Sequence, residues 1–527
     1  MILDIIFGDQ LENNNKLNYL KTSTTIRLRM SKLFAKKQLS VLMAEAGDSE
    51  KGLKRTLGAG SLIALGIGAI IGAGLFVRTA AAASQHAGPA VIVSFIIAAI
   101  GCALAGLCYA EFASMIPIAG SAYTYSYATL GEFVAWIIGW DLVLEYALAG
   151  ATVAIGWSQY LNKLLTSVFN VTIPYEWSHS PFEVSDAGVH GIMNLPAVGI
   201  LLLLTLLLIR GIQGSAIVNN IIVITKVGIV LLFIFLGWQF INPANHTPFT
   251  ISADAGSIKM HNGQIVDYSN FWNHGWPGVL RGAGVVFFAF IGFDAVSTAA
   301  QETKNPKRNM PIGILLSLAI CTVLYILFSY VLTGIAPFQD FLKAGGEASI
   351  AYAIDTYMHG YSWLSTFITV AILAGFSSVI LVMLLGQTRV FYSMSNDGLV
   401  PPVFAKLHPT YRTPHRSQAM FFVFVSLFAA FVPDNVVGDM TSIGTLFAFV
   451  LVCIGVVVMR KTSPDAPRAF KTPWVPVVPI VGAIFCTVMI ISLGIENWTR
   501  LFVWLGIGLL IYFGYSVKHS KVRKMTE

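Results

Sequence analysis

Long apolar runs recur along the chain, separated by shorter stretches that hold most of the charges and prolines. The runs cover residues 59–83, 89–115, 131–164, 193–210, 213–240, 278–300, 311–335, 362–395, 417–432, 438–459, 475–493 and 499–517. A hydrocarbon core ~30 Å thick takes about 20 helical residues, so each run predicts a membrane-crossing helix, about twelve in all. The runs 131–164 and 362–395 exceed that need and predict tilt or extension into loops. A closed barrel would need short strands of strict apolar–polar alternation, and these runs do not alternate. The pattern predicts an all-α integral membrane protein.

Composition strengthens that reading. Hydrophobic residues make up 56% and charged residues 11%, against ~25% charged in soluble domains. So few charges cannot cover a water-exposed surface, which excludes a soluble fold, a disordered chain and a disulfide scaffold. The 47 glycines suit helices whose backbones approach closely in lipid. The five cysteines lie inside apolar runs without CxxC spacing, and the ten histidines lie mainly between runs, so neither set predicts a disulfide, a metal site or a cofactor.

The net charge of +7 reads as topology rather than nucleic-acid binding. Of 33 Lys and Arg, 26 fall on the side shared by the two termini, six fall on the other side, and Lys226 lies inside a run. Cytoplasmic loops carry the basic excess, so both termini are expected in the cytoplasm of a cell with an inner plasma membrane. The expected organisation is a largely disordered extension over 1–55, five spans over 56–240, an outer loop over 241–277, five spans over 278–460, two more over 461–517, and a tail over 518–527. The first 29 residues lack a signal-peptide layout. Met30 opens a more ordinary start, which leaves both a functional tail and a later start open.

Two runs carry glycine where a helix tolerates it poorly. The first reads Gly66-Ile67-Gly68-Ala69-Ile70-Ile71-Gly72-Ala73-Gly74, and each glycine costs about 1 kcal/mol relative to alanine. Tight helix packing through Gly68 and Gly72 is one explanation. The other is an unwound segment, which survives at membrane depth only where protein or a wet cavity satisfies its freed backbone groups. The sixth run repeats the feature, with Gly292 followed by Asp294. Glycine-interrupted spans in corresponding halves point to a transporter site, whose amide ends hold an anionic group and whose carbonyls hold a cationic one. An amino acid carries both.

Charges inside the runs narrow the chemistry. Lys226 lies well inside the fifth run, where an ionisable group is expensive and by default functional. Burial favours a neutral amine, which would let it exchange a proton near neutral pH; snorkelling to the interface is the alternative. Glu145 lies in the third run with Asp141 one turn earlier, and suits either a pathway or a structural hydrogen bond. Glu111 ends the second run and suits a structural or gating role. Asp294 would brace the sixth-run break. Ser377 and Ser378 begin a polar patch on the eighth run, for which back-bonding to the helix is the plainer reading.

Several strings carry a resemblance: GIGAIIGAGLFV at 66–77, YAEFASMIPIAGSAYTYSYATLGE at 109–132, GWDLVLEY at 139–146, FFAFIGFDAVSTAAQETKNPKRNMPIGI at 287–314 and LVMLLGQTRVFYSMSNDGLVPP at 381–402. In these the chain resembles the amino acid–polyamine–organocation superfamily and, within it, the bacterial cationic amino acid transporter family. The resemblance implies ten core helices in two inverted repeats, two peripheral helices, and amino acid transport by alternating access. It implies that amides of Gly72, Ala73 and Gly74 hold the substrate carboxylate and that carbonyls of Ile70, Phe288 and Ile291 take its ammonium group. It also implies that Phe288 is an aromatic gate. Lys226 matches a fifth-helix lysine that stands in for sodium in proton-coupled relatives, with carbonyls of the first helix and a hydroxyl near Ser377 or Ser378 as neighbours. The chain departs at Arg78, a charge where an apolar residue is expected, and in its long 241–276 loop.

The expected partners are an amino acid, protons and the bilayer, with the chain working as a monomer or beside a small single-span protein. A channel would need a continuous polar pore, and no ring-forming motif occurs. A membrane enzyme would need a nucleophile elbow, HExxH or similar set, and none occurs. An uncoupled exchanger and a transport-defective sensor stay open, as does cationic or neutral specificity.

Overall fold

The structure is a computed structural model that describes residues 33–38, 42, 57–116, 118, 120–185, 187–210, 216–259, 265–343, 349–411 and 413–525. Most of the 1–55 extension lies outside the described residues, as does Arg412. Among the described residues eight helical stretches are long and apolar enough to cross a bilayer, and four shorter apolar helices join them. They form the spans Val91–Met115 (second), Glu132–Phe169 (third), Leu195–Arg210 (fourth), Ala216–Gly237 (fifth), Pro306–Ile335 (seventh), Ser362–Asn396 (eighth), His415–Phe431 (ninth), Asp434–Thr462 (tenth), Val477–Ser492 (eleventh) and Ile495–Ile511 (twelfth). The first and sixth are interrupted.

The first span is helical over Ala59–Ile70, turns extended at Ile71 (ψ 104°), and resumes over 74–87. The sixth is helical over Gly275–Val286, tightens into a 3-10 turn over Phe287–Phe290, and restarts at Asp294–Glu302. Glycine is required at the joint. Gly292 has φ +113° and faces the carbonyl of Ala69, a conformation closed to side chains of ordinary residues. A Cβ on Gly74 would lie 2.1 Å from the Cα of Ala289, so the two interruptions press backbone against backbone.

Each of the first four spans packs against the one five later: first on sixth, second on seventh, third on eighth, fourth on ninth. Five is odd, so the second set of five starts on the opposite side of the bilayer from the first. The first, second, sixth and seventh spans form one group, and the third, fourth, eighth and ninth form another. The fifth span touches both groups. The tenth packs on the second, sixth and third, and on the eleventh.

The long loop before the sixth span is folded. Two short strands, β1 (Ser257–Lys259) and β2 (Ile265–Asp267), pair antiparallel with Ile258 opposite Val266. The Tyr268 hydroxyl donates to the Ser84 carbonyl at 2.6 Å, and the amide of Ala90 donates to Phe249 at 2.9 Å, tying the loop to the end of the first span. Burial pushes the Tyr268 phenol up to about 12. At the other face, residues 33–38 run beside 127–132: the amide of Glu132 donates to Ala35, and Lys37 pairs with Asp397 at 2.8 Å.

Candidate substrate and coupling site

A helix that stops inside a protein leaves its last carbonyls without amide partners. At the end of Ala59–Ile70 three of them find other donors. The last helical bond runs from the Ile71 amide to the Ile67 carbonyl at 2.9 Å, and beyond it the carbonyls of Gly68, Ile70 and Ile71 take side-chain donors. Lys226 Nζ donates to Gly68 at 2.8 Å and to Ile71 at 3.0 Å. The Tyr325 hydroxyl, from the seventh span, lies 2.9 Å from both the Ile70 and the Ala289 carbonyl. One phenol proton thus serves freed carbonyls of both interrupted spans.

Lys226 is 1% exposed. Its stem lies over Gly375 of the eighth span, where a Cβ would approach its Cε to 2.8 Å. A bare glycine therefore makes the channel through which the amine reaches the first span. The hydroxyls of Ser377 and Ser378, expected beside Lys226, donate to the carbonyls of Leu373 and Gly375 in their own helix.

On the other side of the interruption, Gly72, Ala73 and Gly74 supply the leading amides of a new helix, the end where a partial positive charge gathers. Their surroundings are apolar. A Cβ on Gly72 would meet Val379 at 3.1 Å, and Phe76 packs against Phe376 and Phe328. The amide of Ile291 donates to the Phe288 carbonyl at 3.3 Å, closing the turn that carries both residues. The carbonyls of Ile70, Phe288 and Ile291 thus sit on the two facing interruptions, within one backbone-lined region.

Arg78, four residues past Gly74, is 3% exposed and paired. Its Nη2 donates to the Asp434 carbonyl at 2.7 Å, and its guanidinium lies 3.7 Å from the Asp434 carboxylate and 4.0 Å from that of Asp439. The guanidinium fills the notch left by Gly438 and covers the Phe288 ring at 5.6 Å. The charge that departs from the family pattern thus joins the first span to the tenth, above the residue expected to gate the site.

Three carboxyl groups lie buried further along. Tyr146 donates its hydroxyl to Asp294 Oδ2, joining the third span to the restart of the sixth. The Glu145 carboxyl lies within hydrogen-bond reach of Asp294, a contact that needs a proton on one of the two, and both oxygens of Asp141 are buried without a donor. Buried carboxyls without donors are costly, and nothing brings them into the backbone region around Gly72. Glu111 is different. Arg460 grips it with two bonds of 2.8 and 2.9 Å, Arg468 adds one at 3.1 Å, and the amide of Thr472 adds one at 2.8 Å.

Sequence reading missed Tyr325, Gly375 and the acidic partners of Arg78. Tyr325 is one hydroxyl among several in the seventh span, with Ser317, Thr322, Ser329, Tyr330 and Thr333, and Asp434 and Asp439 open the tenth span, so nothing in the sequence singles any of the three out.

Comparison with known proteins agrees with this architecture. Residues 57–513 match the amino acid permease family. The chain is 45% identical over 492 residues to the branched-chain amino acid permease BcaP of Bacillus subtilis, covering 93% of this chain and 99% of that one. It is 43% identical to the methylthioribose transporter of Bacillus subtilis, covering 94% and 100%. It is 33% identical to the branched-chain amino acid permease BcaP of Lactococcus lactis, covering 90% and 97%. The chain belongs to the amino acid permease family, as a multi-pass membrane carrier of amino acids and not an enzyme.

Proposed function

We propose that this permease takes up neutral, apolar L-amino acids together with a proton, by alternating access. The observation that carries the reading is Lys226, whose ammonium is held by carbonyls of Gly68 and Ile71 at the interruption of the first span. A sodium-coupled carrier needs oxygen ligands around a free cation, and a lysine ammonium in that place repels the metal. Protonated, Lys226 ties the fifth span to the first. Deprotonated, the amine loses the charge-assisted part of both bonds, and the first span is free to rock. The substrate carboxylate sits on the amides of Gly72, Ala73 and Gly74, and its ammonium on carbonyls of Ile70, Phe288 and Ile291. Asp294 and Glu145 support the pathway from the side.

Two observations favour an apolar substrate side chain: Val379 and Phe376 border the cradle, and two relatives are named as branched-chain amino acid permeases. Both termini lie in the cytoplasm, following the distribution of Lys and Arg, and the chain works as a monomer in the inner plasma membrane.

Uptake of labelled leucine into proteoliposomes decides the matter. We expect it to rise with an inward proton gradient and to ignore sodium. Uptake driven by sodium at constant pH would overturn proton coupling, and exchange independent of any gradient would show an uncoupled exchanger.

A further inference from the structure

A groove lies outside the transport site, at the start of the seventh span. It is a shallow, open groove of about 660 Å³. One wall is the first turns of the seventh span, with Lys307, Arg308, Pro311, Leu315 and Leu316; the other includes Phe470, from the loop between the tenth and eleventh spans. Chemistry divides the groove lengthwise. Its mouth is basic and its length is apolar.

The second wall is fixed. The amide of Phe470 donates to Ser114 Oγ at 3.2 Å, and the Thr472 hydroxyl donates to the Leu107 carbonyl at 3.0 Å. The Glu111 carboxylate gathers Arg460, Arg468 and the Thr472 amide beneath the same loop. The clamp neutralises Glu111 and holds Phe470 toward the seventh span. Lys307 and Arg308, by contrast, are exposed and take part in no ion pair or side-chain hydrogen bond among the described residues. Trp474, 81% exposed, lies four residues beyond Phe470, as aromatic residues do at a membrane surface.

We propose that this groove binds an anionic phospholipid of the cytoplasmic leaflet, with the phosphate on Lys307 and Arg308 and an acyl chain along Leu315, Leu316 and Phe470. The leaflet rests on the orientation proposed above. Basic pockets between spans on the cytoplasmic side suit acidic head groups, and the two unpaired cations meet a phosphate where the apolar wall meets lipid. The site adjoins both interrupted spans. The seventh span follows Asp294–Glu302 after three residues, and Lys304 donates its amide to Leu57, at the entry to the first span, at 2.8 Å. A lipid held there would stiffen the junction of both interrupted spans.

The test is thermal unfolding of the full chain in neutral detergent, with added dioleoyl phosphatidylglycerol, dioleoyl phosphatidylcholine or inorganic phosphate. We expect a saturable rise in the unfolding midpoint with phosphatidylglycerol only. Lys307→Ala/Arg308→Ala should abolish the rise, Lys307→Arg/Arg308→Lys should keep it, and Leu316→Trp, which fills the groove, should reduce it at least several-fold. A rise that survives both the double alanine and the tryptophan variant overturns the proposal. So does an equal rise with phosphatidylcholine, or one reproduced by phosphate alone. Binding in micelles does not depend on which way the chain crosses a bilayer, so this result and a reversed orientation are separable.

Discussion

Two cations are buried at the first span, Lys226 reaching it from the fifth and Arg78 borne by it, and they are held in opposite ways. Lys226 is met by two backbone carbonyls, Gly68 and Ile71. Arg78 is met by the carboxylates of Asp434 and Asp439 and by a further carbonyl. Held by dipoles, Lys226 has no carboxylate partner among the described residues to fix its proton, and an amine can lose one. A guanidinium keeps its charge in any protein and matches carboxylates with a planar fork. The chain thus places a proton-releasing cation where the first span stops and a permanent one where it resumes. The first suits a switch operated by protonation. The second suits a tie that parts only when the spans move.

Removing the switch should have the largest effect. Lys226→Met keeps the length of the side chain but leaves the Gly68 and Ile71 carbonyls without a donor, at about 1–3 kcal/mol for each buried group. Proton-driven uptake in proteoliposomes should fall to background. Uptake that kept its response to the proton gradient would move the coupling site elsewhere. Next comes the joint itself. Gly74→Val puts a branched side chain where a Cβ would already lie 2.1 Å from Ala289, so the cradle cannot close. Amino acid binding by thermal shift should disappear while the protein still inserts; unchanged affinity would place the substrate somewhere other than the interruption.

The Arg78 tie should matter less to coupling and more to closure. Arg78→Ala takes the donor from the Asp434 carbonyl and the cation from its half-buried carboxylate, a loss of about 1–3 kcal/mol. We expect a lower unfolding midpoint, and a cysteine placed at Phe288 that reacts several-fold faster with a membrane-impermeant thiol reagent. Arg78→Lys should recover only part of both, since an ammonium cannot reach two carboxylates as a fork does. Equal reactivity in all three proteins would show that Arg78 does not cover the site.

The two cations also differ in how visible they are before folding. Lys226 stands out because an apolar run isolates it, while its place against the first span is something only the family resemblance implies. The spans themselves are legible for the same reason: hydrocarbon demands length and apolarity, and both are written locally. Arg78 reads as an anomaly because its partners lie 356 and 361 residues away in sequence, and its notch is an absent side chain at Gly438. Tyr325 escapes likewise. One hydroxyl among the several of the seventh span says nothing until the carbonyls of Ile70 and Ala289 are brought to it by packing.

The smallest expected effect tests whether Lys226 relies on backbone alone. A hydroxyl beside it was expected at Ser377 or Ser378, and both hydroxyls are instead spent on Leu373 and Gly375 of their own helix. Such back-bonding contributes little and slightly weakens a helix. Ser377→Ala and Ser378→Ala should therefore shift stability by no more than about 1 kcal/mol, the net worth of one intramolecular hydrogen bond. The dependence of uptake on the proton gradient should be unchanged in both. If either variant loses coupling while keeping substrate binding, a serine hydroxyl turns to Lys226 at another stage of the cycle. The lysine would then exchange carbonyls for a side chain as the spans rock, and its difference from Arg78 would lie in changing partners rather than in lacking a counter-charge.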